Sequence, residues 1–239
     1  MAIKLCILEN DVFDPGMAPH LQRYGDAFVN LFRQAGADWQ IDSFNVTHGE
    51  YPASFDGYDA VLLTGSRADA FGSEPWVVKL RRRVTALLNE RKKIIGVCFG
   101  HQLLGVCLGA KVGRAPQGWG AGRMAYQWQD GTELNVLASH QDQVLELPEG
   151  ATLLATSDFC PVAGFTVGSH VFSVQPHPEM DEIILGNLLK KRRAILGEEK
   201  YTSGMESLQH AHDGVAVARR MMAFVQDRSA AQAAPQALR

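Results

Sequence analysis

Residues Ile94-Ile95-Gly96-Val97-Cys98-Phe99-Gly100-His101-Gln102-Leu103-Leu104 place the tightest constraint on what this chain can fold into. Ile94, Ile95 and Val97 are apolar and β-branched, as in a central strand, and Leu103, Leu104 and Leu108 then recur at helical spacing. A strand must therefore turn into a helix at Cys98. Gly96 and Gly100 flank the bend and lack the Cβ atoms that would collide where strand meets helix, and they let a substrate approach the backbone. Such a turn presents the thiol instead of packing it. The positive end of the helix macrodipole and the unpaired N–H groups there favour the thiolate, so Cys98 is a candidate nucleophile.

The same alternation runs through the first half of the chain. Residues 3–8 are a short apolar run closed by loop signals at Glu9-Asn10-Asp11 and Asp14-Pro15-Gly16. From about His20 to Ala35, Leu21, Tyr24, Phe28, Leu31 and Phe32 share one helical face, and Gly36 ends it. Trp39 to Val46 alternates like a strand, and Tyr58 to Thr64 supplies another that ends on Gly65-Ser66. Trp76, Leu80, Val84, Leu87 and Leu88 mark a helix leading to the Cys98 strand. This order predicts an α/β fold with a doubly wound, mostly parallel central sheet flanked by helices. Loops at the carboxyl ends of such strands share one edge, which places Gly65-Ser66 close to Cys98.

The second half reads differently. Met124 to Trp128, Leu134 to Ala138, Gln143 to Leu147 and Thr152 to Ala155 are short and turn-punctuated, predicting a small antiparallel excursion. Residues 165–167 and 170–174 predict a hairpin with a two-residue turn at Gly168-Ser169. Helices are expected from about Asp181 to Leu196 and from Gly214 to Asp227, joined by a polar connector through Tyr201 and Gly204. Residues 1–228 read as a single domain, and 229–239, rich in Ala and Gln, as a disordered tail.

With 46% hydrophobic and 21% charged residues, the composition excludes disordered and fibrous classes. A net charge of −3 gives nucleic acid or an anionic membrane no footing as a partner, and no window approaches a membrane span, so a cytoplasmic protein is expected. Cys6, Cys98, Cys107 and Cys160 show neither metal-ligand spacing nor the density of a disulfide framework. Reduced thiols follow, with no metal and no cofactor.

Chemistry concentrates in a second segment, Gln175-Pro176-His177-Pro178-Glu179. The two prolines push Gln175 and His177 into extended conformations, and residues two apart in an extended segment point to the same side. His177 and Glu179 are thus placed to support one another. A thiolate nucleophile needs a base to take and return a proton, and that imidazole needs a third group to hold its tautomer. Cys98, His177 and Glu179 meet those requirements.

Gly96-Val97-Cys98-Phe99-Gly100-His101-Gln102 together with His177-Pro178-Glu179 resembles the class I, triad-type glutamine amidotransferase family, whose pattern is G-x-C-x-G-x-Q followed by H-P-E. The resemblance covers residues from about 3 to 190 and implies the flavodoxin-like fold of that family. It implies that Cys98 attacks the γ-carbonyl of glutamine or a γ-glutamyl compound, with His177 as base and acid and Glu179 as orienter. The N–H groups of Phe99 and of Gly65 or Ser66 would form the oxyanion hole, and Gln102 would shape the glutamyl pocket. Ser139-His140-Gln141-Asp142 is similar to a substrate-bordering S-H-G-D loop of GMP synthases, with Gln141 in place of glycine, which adds Ser139 and His140 to the substrate-binding set. Thr64-Gly65-Ser66 with Asp69 to Gly72 and Trp76 resembles stand-alone members, including plant γ-glutamyl peptidases. Gln117-Gly118-Trp119-Gly120 is similar to a loop of theirs that carries a glutamate after the tryptophan, where this chain has Gly120 and Ala121. An ammonia-accepting synthase subunit would then lie on another chain. The alternatives are a γ-glutamyl peptide hydrolase acting alone and a catalytically idle regulatory or binding subunit.

Blander readings stand beside these. Gly96-x-Cys98-x-Gly100 also fits an α/β-hydrolase elbow with cysteine for serine, which would need an acid such as Asp142 or Asp158 before His177; Glu179 beside the histidine argues against it. Cys6 and Cys107 fall on apolar faces and His101 suits a packing role. His20, His48, His210 and His212 lack partner spacing. Lys190-Lys191-Arg192-Arg193 reads as a solvated helix face, with partner docking as the sharper alternative.

Overall fold

The computed structural model describes residues 2–12 and 14–227. In chain order its elements are β1 (Lys4–Glu9), α1 (Gly25–Gln34), β2 (Gln40–Asn45), β3 (Ala60–Leu63), α2 (Pro75–Asn89), β4 (Lys93–Val97), α3 (Phe99–Cys107), β5 (Val112–Arg114), β6 (Gly120–Trp128), β7 (Glu133–His140), β8 (Asp142–Val144), β9 (Thr152–Thr156), β10 (Gly164–Val167), β11 (Val171–Val174), α4 (Glu182–Leu196), α5 (Glu198–Ser207) and α6 (Gly214–Gln226). One sheet has nine strands in the order β2-β1-β3-β4-β11-β10-β9-β6-β7, and β5 pairs with β8 in a separate two-stranded sheet. The strands from β2 to β11 in that order are parallel. β10, β9, β6 and β7 continue the same sheet antiparallel.

Alternation along β1 shows why helices lie on both faces. Leu5 and Ile7 join Phe28, Phe32, Ile95, Val97 and Met221 beneath α1 and α6, whereas Cys6 and Leu8 join Val61, Leu63, Leu80, Phe99 and Leu103 beneath α2 and α3. With both faces covered, these strands read as continuous apolar runs. Phe28 and Leu8 are each fully buried, and burial of such a side chain contributes about 1.5–3 kcal/mol. A third cluster, with Leu137, Ile184, Leu185 and Leu189, seats α4 against β7. No helix among the described residues is long and apolar enough to cross a membrane.

Several boundaries differ from the sequence expectation. α1 starts at Gly25, not near His20, because Glu9 captures the preceding residues: its carboxylate accepts Arg23 Nε at 2.7 Å, Arg23 Nη2 at 2.9 Å and the Gly25 N–H at 2.8 Å. The hairpin loop spans three residues, 168–170, not two. Val167 pairs with Val171, the His170 N–H closes on Val167 O at 3.3 Å, and the His170 carbonyl is taken by the Ile94 N–H of β4. The connector through Tyr201 and Gly204 is the helix α5: Gly204 faces Leu189 and Ala121, and Tyr201 lies 4.7 Å beneath the Arg193 guanidinium. The strand expected at 143–147 pairs at 142–144 with β5, and β6 and β7 run further toward the site than turn signals suggest. Residues 229–239 lie outside the described residues.

Candidate active site

Cys98 breaks β4 from α3 with φ 51° and ψ −102°, a conformation an L-residue keeps only when its surroundings impose it. Here they do. The Cys98 N–H bonds Val174 O of β11 at 2.9 Å, and the Gly100 N–H bonds Thr64 O at 3.2 Å. A Cβ on Gly100 would stand 2.4 Å from Leu63 O, so β3 and α3 can approach only with glycine at that position. Phe99 opens α3, where the first N–H groups have no helical acceptor.

β11 lies parallel to β4, with Val174 opposite Val97, and so delivers the following residues to the rim that carries Cys98. The His177 N–H bonds Leu137 O of β7 at 2.7 Å, and His177 Nδ1 lies 2.8 Å from Glu179 Oε1. Burial alone would pull the His177 imidazole down. The charge of the Cys98 sulfur, then that of the Glu179 carboxylate, with hydrogen bonds to both, outweigh burial and raise His177 to about 10. The structure thus brings Cys98, His177 and Glu179 together.

It also adds Tyr24, which the sequence pattern assigns to a core-facing helical stripe. Tyr24 precedes α1, between two residues held by Glu9, and its hydroxyl donates to Glu179 Oε1 at 3.1 Å. Burial, then the neighbouring Glu179 carboxylate, raise its pKa well above the ordinary phenol value. The hydroxyl therefore stays a donor, and Glu179 receives two bonds on one oxygen.

A pocket of about 280 Å³ opens onto Cys98, with His177, Tyr24, Ser66 and Ser139 on its wall. Met17, Leu21, Met180, Ile184 and Leu188 give it an apolar lining, and Asp11, Asp14, Arg67, Lys191 and Arg192 supply charge. Gly65 adjoins Tyr24 and His177: a Cβ there would stand 2.7 Å from the Tyr24 oxygen and 2.8 Å from His177 Cε1. Asn10 holds this turn, donating its N–H to Thr64 Oγ1 at 2.9 Å and its Nδ2 to Thr64 O at 2.8 Å. Ser66 Oγ accepts the Ala68 N–H at 3.1 Å.

Gln102 and His140 stand behind the wall. Gln102 Nε2 donates to Asp142 O at 2.8 Å and to Gln175 Oε1 at 3.1 Å, so it braces β8 against the segment before His177. His140 is buried with its ring 5.9 Å from that of Phe159, and burial, then the charge on His177, push it down to about 3. Arg192 comes forward from the basic run instead, donating Nη1 to Ser139 O at 3.0 Å and to Ser139 Oγ at 2.6 Å. A signal existed: Ile184, Leu188, Arg192 and Leu196 follow one another at helical spacing, so the inward stripe of α4 is interrupted by a cation.

Residues 22–188 match the family model for class-I glutamine amidotransferases. Over 184 residues the chain is 38% identical to gamma-glutamyl peptidase 3 of Arabidopsis thaliana, covering 70% of this chain and 73% of that one. It is 34% identical over 125 residues to one subunit of the glutamine-hydrolysing GMP synthase of Methanocaldococcus jannaschii, covering 49% of this chain and 66% of that one. Its fold is similar to the crystal structure of a glutamine amidotransferase from Thermotoga maritima, with a TM-score of 0.73 at 20% identity over 95% of this chain and 98% of that one.

Proposed function

Since this chain belongs to the class-I glutamine amidotransferase family, we propose that it hydrolyses γ-glutamyl amides through a thioester on Cys98. The observation that carries this reading is the contact of Cys98 with His177, itself held by Glu179, at the floor of a pocket. The Cys98 sulfur attacks the γ-carbonyl carbon, and the oxygen that becomes negative is received by the N–H groups of Phe99 and of Gly65 or Ser66. Such preorganised donors contribute several kcal/mol in acyl transfer. His177 gives its proton to the departing nitrogen, the C–N bond breaks, and the amine leaves. Water then attacks the thioester as His177 takes back a proton, which releases glutamate and restores the sulfur.

The apolar lining of the pocket favours a leaving group larger than ammonia. Ammonia is the size of a water molecule, about 30 Å³, and has no use for the wall of Met17, Leu21, Met180, Ile184 and Leu188. A γ-glutamyl peptide or other substituted γ-glutamyl amide makes use of that lining, and the enzyme then needs no acceptor subunit. The second reading, glutamine hydrolysis for a synthase on another chain, is favoured by the similarity to part of a GMP synthase.

Steady-state hydrolysis of γ-glutamyl dipeptides and of glutamine by wild type and Cys98→Ala separates these readings. The expected result is dipeptide turnover at a higher kcat/KM than glutamine turnover, abolished in Cys98→Ala, with an acyl adduct on Cys98 in acid-quenched samples by mass spectrometry. Glutamine as the better substrate supports the amidotransferase reading. Turnover of neither by folded protein supports the idle binding reading.

A further inference from the structure

We propose that Arg192 is the pocket's carboxylate receptor, a guanidinium held in readiness for a carboxylate of the substrate. This rests on the γ-glutamyl reading above and goes beyond it by naming the group that selects the substrate.

Four observations support it. Arg192 lines the pocket that holds Cys98, and it is half-buried. Its Nη1 is pinned to Ser139 O and Oγ, and its guanidinium carbon lies 4.8 Å from the centre of the Trp119 ring, so its direction is set by a strand and an aromatic face. The other pocket cations are already matched: Arg67 Nε lies 2.9 Å from Asp11 Oδ1, and Lys191 Nζ lies 3.0 Å from Asp14 Oδ2. Among the described residues no carboxylate lies within 4 Å of Arg192.

A partly buried cation without a counter-ion is costly, and evolution of a stable core would replace or pair it. Burial does act on Arg192, pulling it below the usual arginine range, while the nearby Cys98 sulfur and Asp11 oppose that pull. The same influences place it in the electrostatic neighbourhood of the reacting sulfur. Ser139 occupies one nitrogen, and the planar fork keeps further N–H donors for a two-point grip on a carboxylate. A γ-glutamyl peptide offers two such groups, the α-carboxylate of its glutamyl part and the carboxylate of the amino acid that leaves. Either satisfies the chemistry, and the substrates below tell them apart.

Wild type, Arg192→Lys and Arg192→Met are compared on three substrates: a γ-glutamyl dipeptide, the same dipeptide with its C-terminal carboxylate amidated, and the 4-aminobutanoyl analogue that lacks the α-carboxylate. In wild type the substrate lacking the recognised carboxylate falls by about 10- to 150-fold in kcat/KM. Arg192→Met lowers the complete dipeptide, mainly through KM, by a similar factor more than it lowers the deficient substrate, so discrimination collapses. Arg192→Lys retains part of it. Collapse against the 4-aminobutanoyl analogue assigns the α-carboxylate, and collapse against the amidated peptide assigns the leaving residue.

Equal losses on all three substrates, or discrimination that survives Arg192→Met, overturn the proposal. Binding of the intact dipeptide to Cys98→Ala by calorimetry, with and without Arg192→Met, gives the same test without turnover. If wild type hydrolyses no substrate yet Arg192→Met weakens this binding by the stated factor, the hydrolase reading fails and the receptor stands. If turnover is sound and binding is unchanged by Arg192→Met, the receptor fails alone.

Discussion

His101 and His177 are buried alike, at 0% and 3% exposure, yet their surroundings drive them to opposite charge states. His101 Nδ1 lies 2.9 Å from Ser173 Oγ and its Nε2 lies 3.1 Å from Val162 O, with the Phe165 ring 5.0 Å away. Burial pulls it down to about 3, and the bond to Val162 offsets little of that. His177 meets the same burial but faces the Cys98 sulfur and the Glu179 carboxylate, and rises to about 10. Neutral dipoles leave a hidden imidazole uncharged, whereas the Cys98 sulfur and the Glu179 carboxylate beside His177 make it a proton store. Depth alone does not separate the two histidines.

Cys98→Ala tests that contrast most severely. Turnover of a γ-glutamyl substrate should fall by about 10⁴-fold or more. Loss of the leading upward influence should also bring the His177 pKa down from about 10, read by NMR titration; an unmoved His177 would break the comparison. Glu179→Gln should lower kcat by about 10²- to 10⁴-fold with a smaller change in KM, because the imidazole loses the group that fixes its tautomer. In His101→Gln the effect belongs to stability, a loss of about 1–3 kcal/mol by urea titration, with activity per folded molecule within about twofold of wild type. Tyr24→Phe removes one of two bonds to Glu179 Oε1, worth about 0.5–1.5 kcal/mol, so kcat should fall between about twofold and tenfold.

The two sites also tilt stability with pH in opposite senses. For His101 the folded pKa lies below the value of about 6.5 in the unfolded chain. The unfolded state then takes its proton first, and stability falls as pH drops from about 6.5 toward 3. For His177 the folded pKa lies above the unfolded one, so its contribution is full below about 6.5 and is lost as pH rises through about 10. Urea titrations across this range should show a shallower acid limb in His101→Gln and a shallower alkaline limb in Cys98→Ala. Limbs that do not respond would assign the pH dependence to other groups.

The parts of the molecule legible in the sequence are those where backbone geometry and residue type coincide. The elbow at Cys98 needs β-branched residues before it and, where α3 closes on Leu63 of β3, glycine at 100, and the segment from 176 to 179 needs its prolines; each requirement shows in the residue type itself. Tyr24 was hidden because its spacing to Leu21 and Phe28 mimics a helical stripe, while a distant carboxylate, Glu9, decides where α1 starts. Arg192 was hidden inside a basic run whose members look alike until α4 is seated, when one turns inward and its neighbours pair at the surface. Gln102 and His140 show the converse. Motif position brings them near the pocket, but the bonds that fix Gln102 run to Asp142 and Gln175, away from the wall. α5 carries little apolar patterning of its own and is defined by contacts made across the chain, through Gly204 and Tyr201.

The bond from the His177 N–H to Leu137 O joins the segment bearing the imidazole to β7, the same strand that anchors Arg192 through Ser139. Occupancy at Arg192 should therefore be felt, through Leu137 and Ser139 of β7, at the peptide group of His177. Deuterium uptake at that amide should slow when a carboxylate ligand docks, even in Cys98→Ala, where no chemistry can follow.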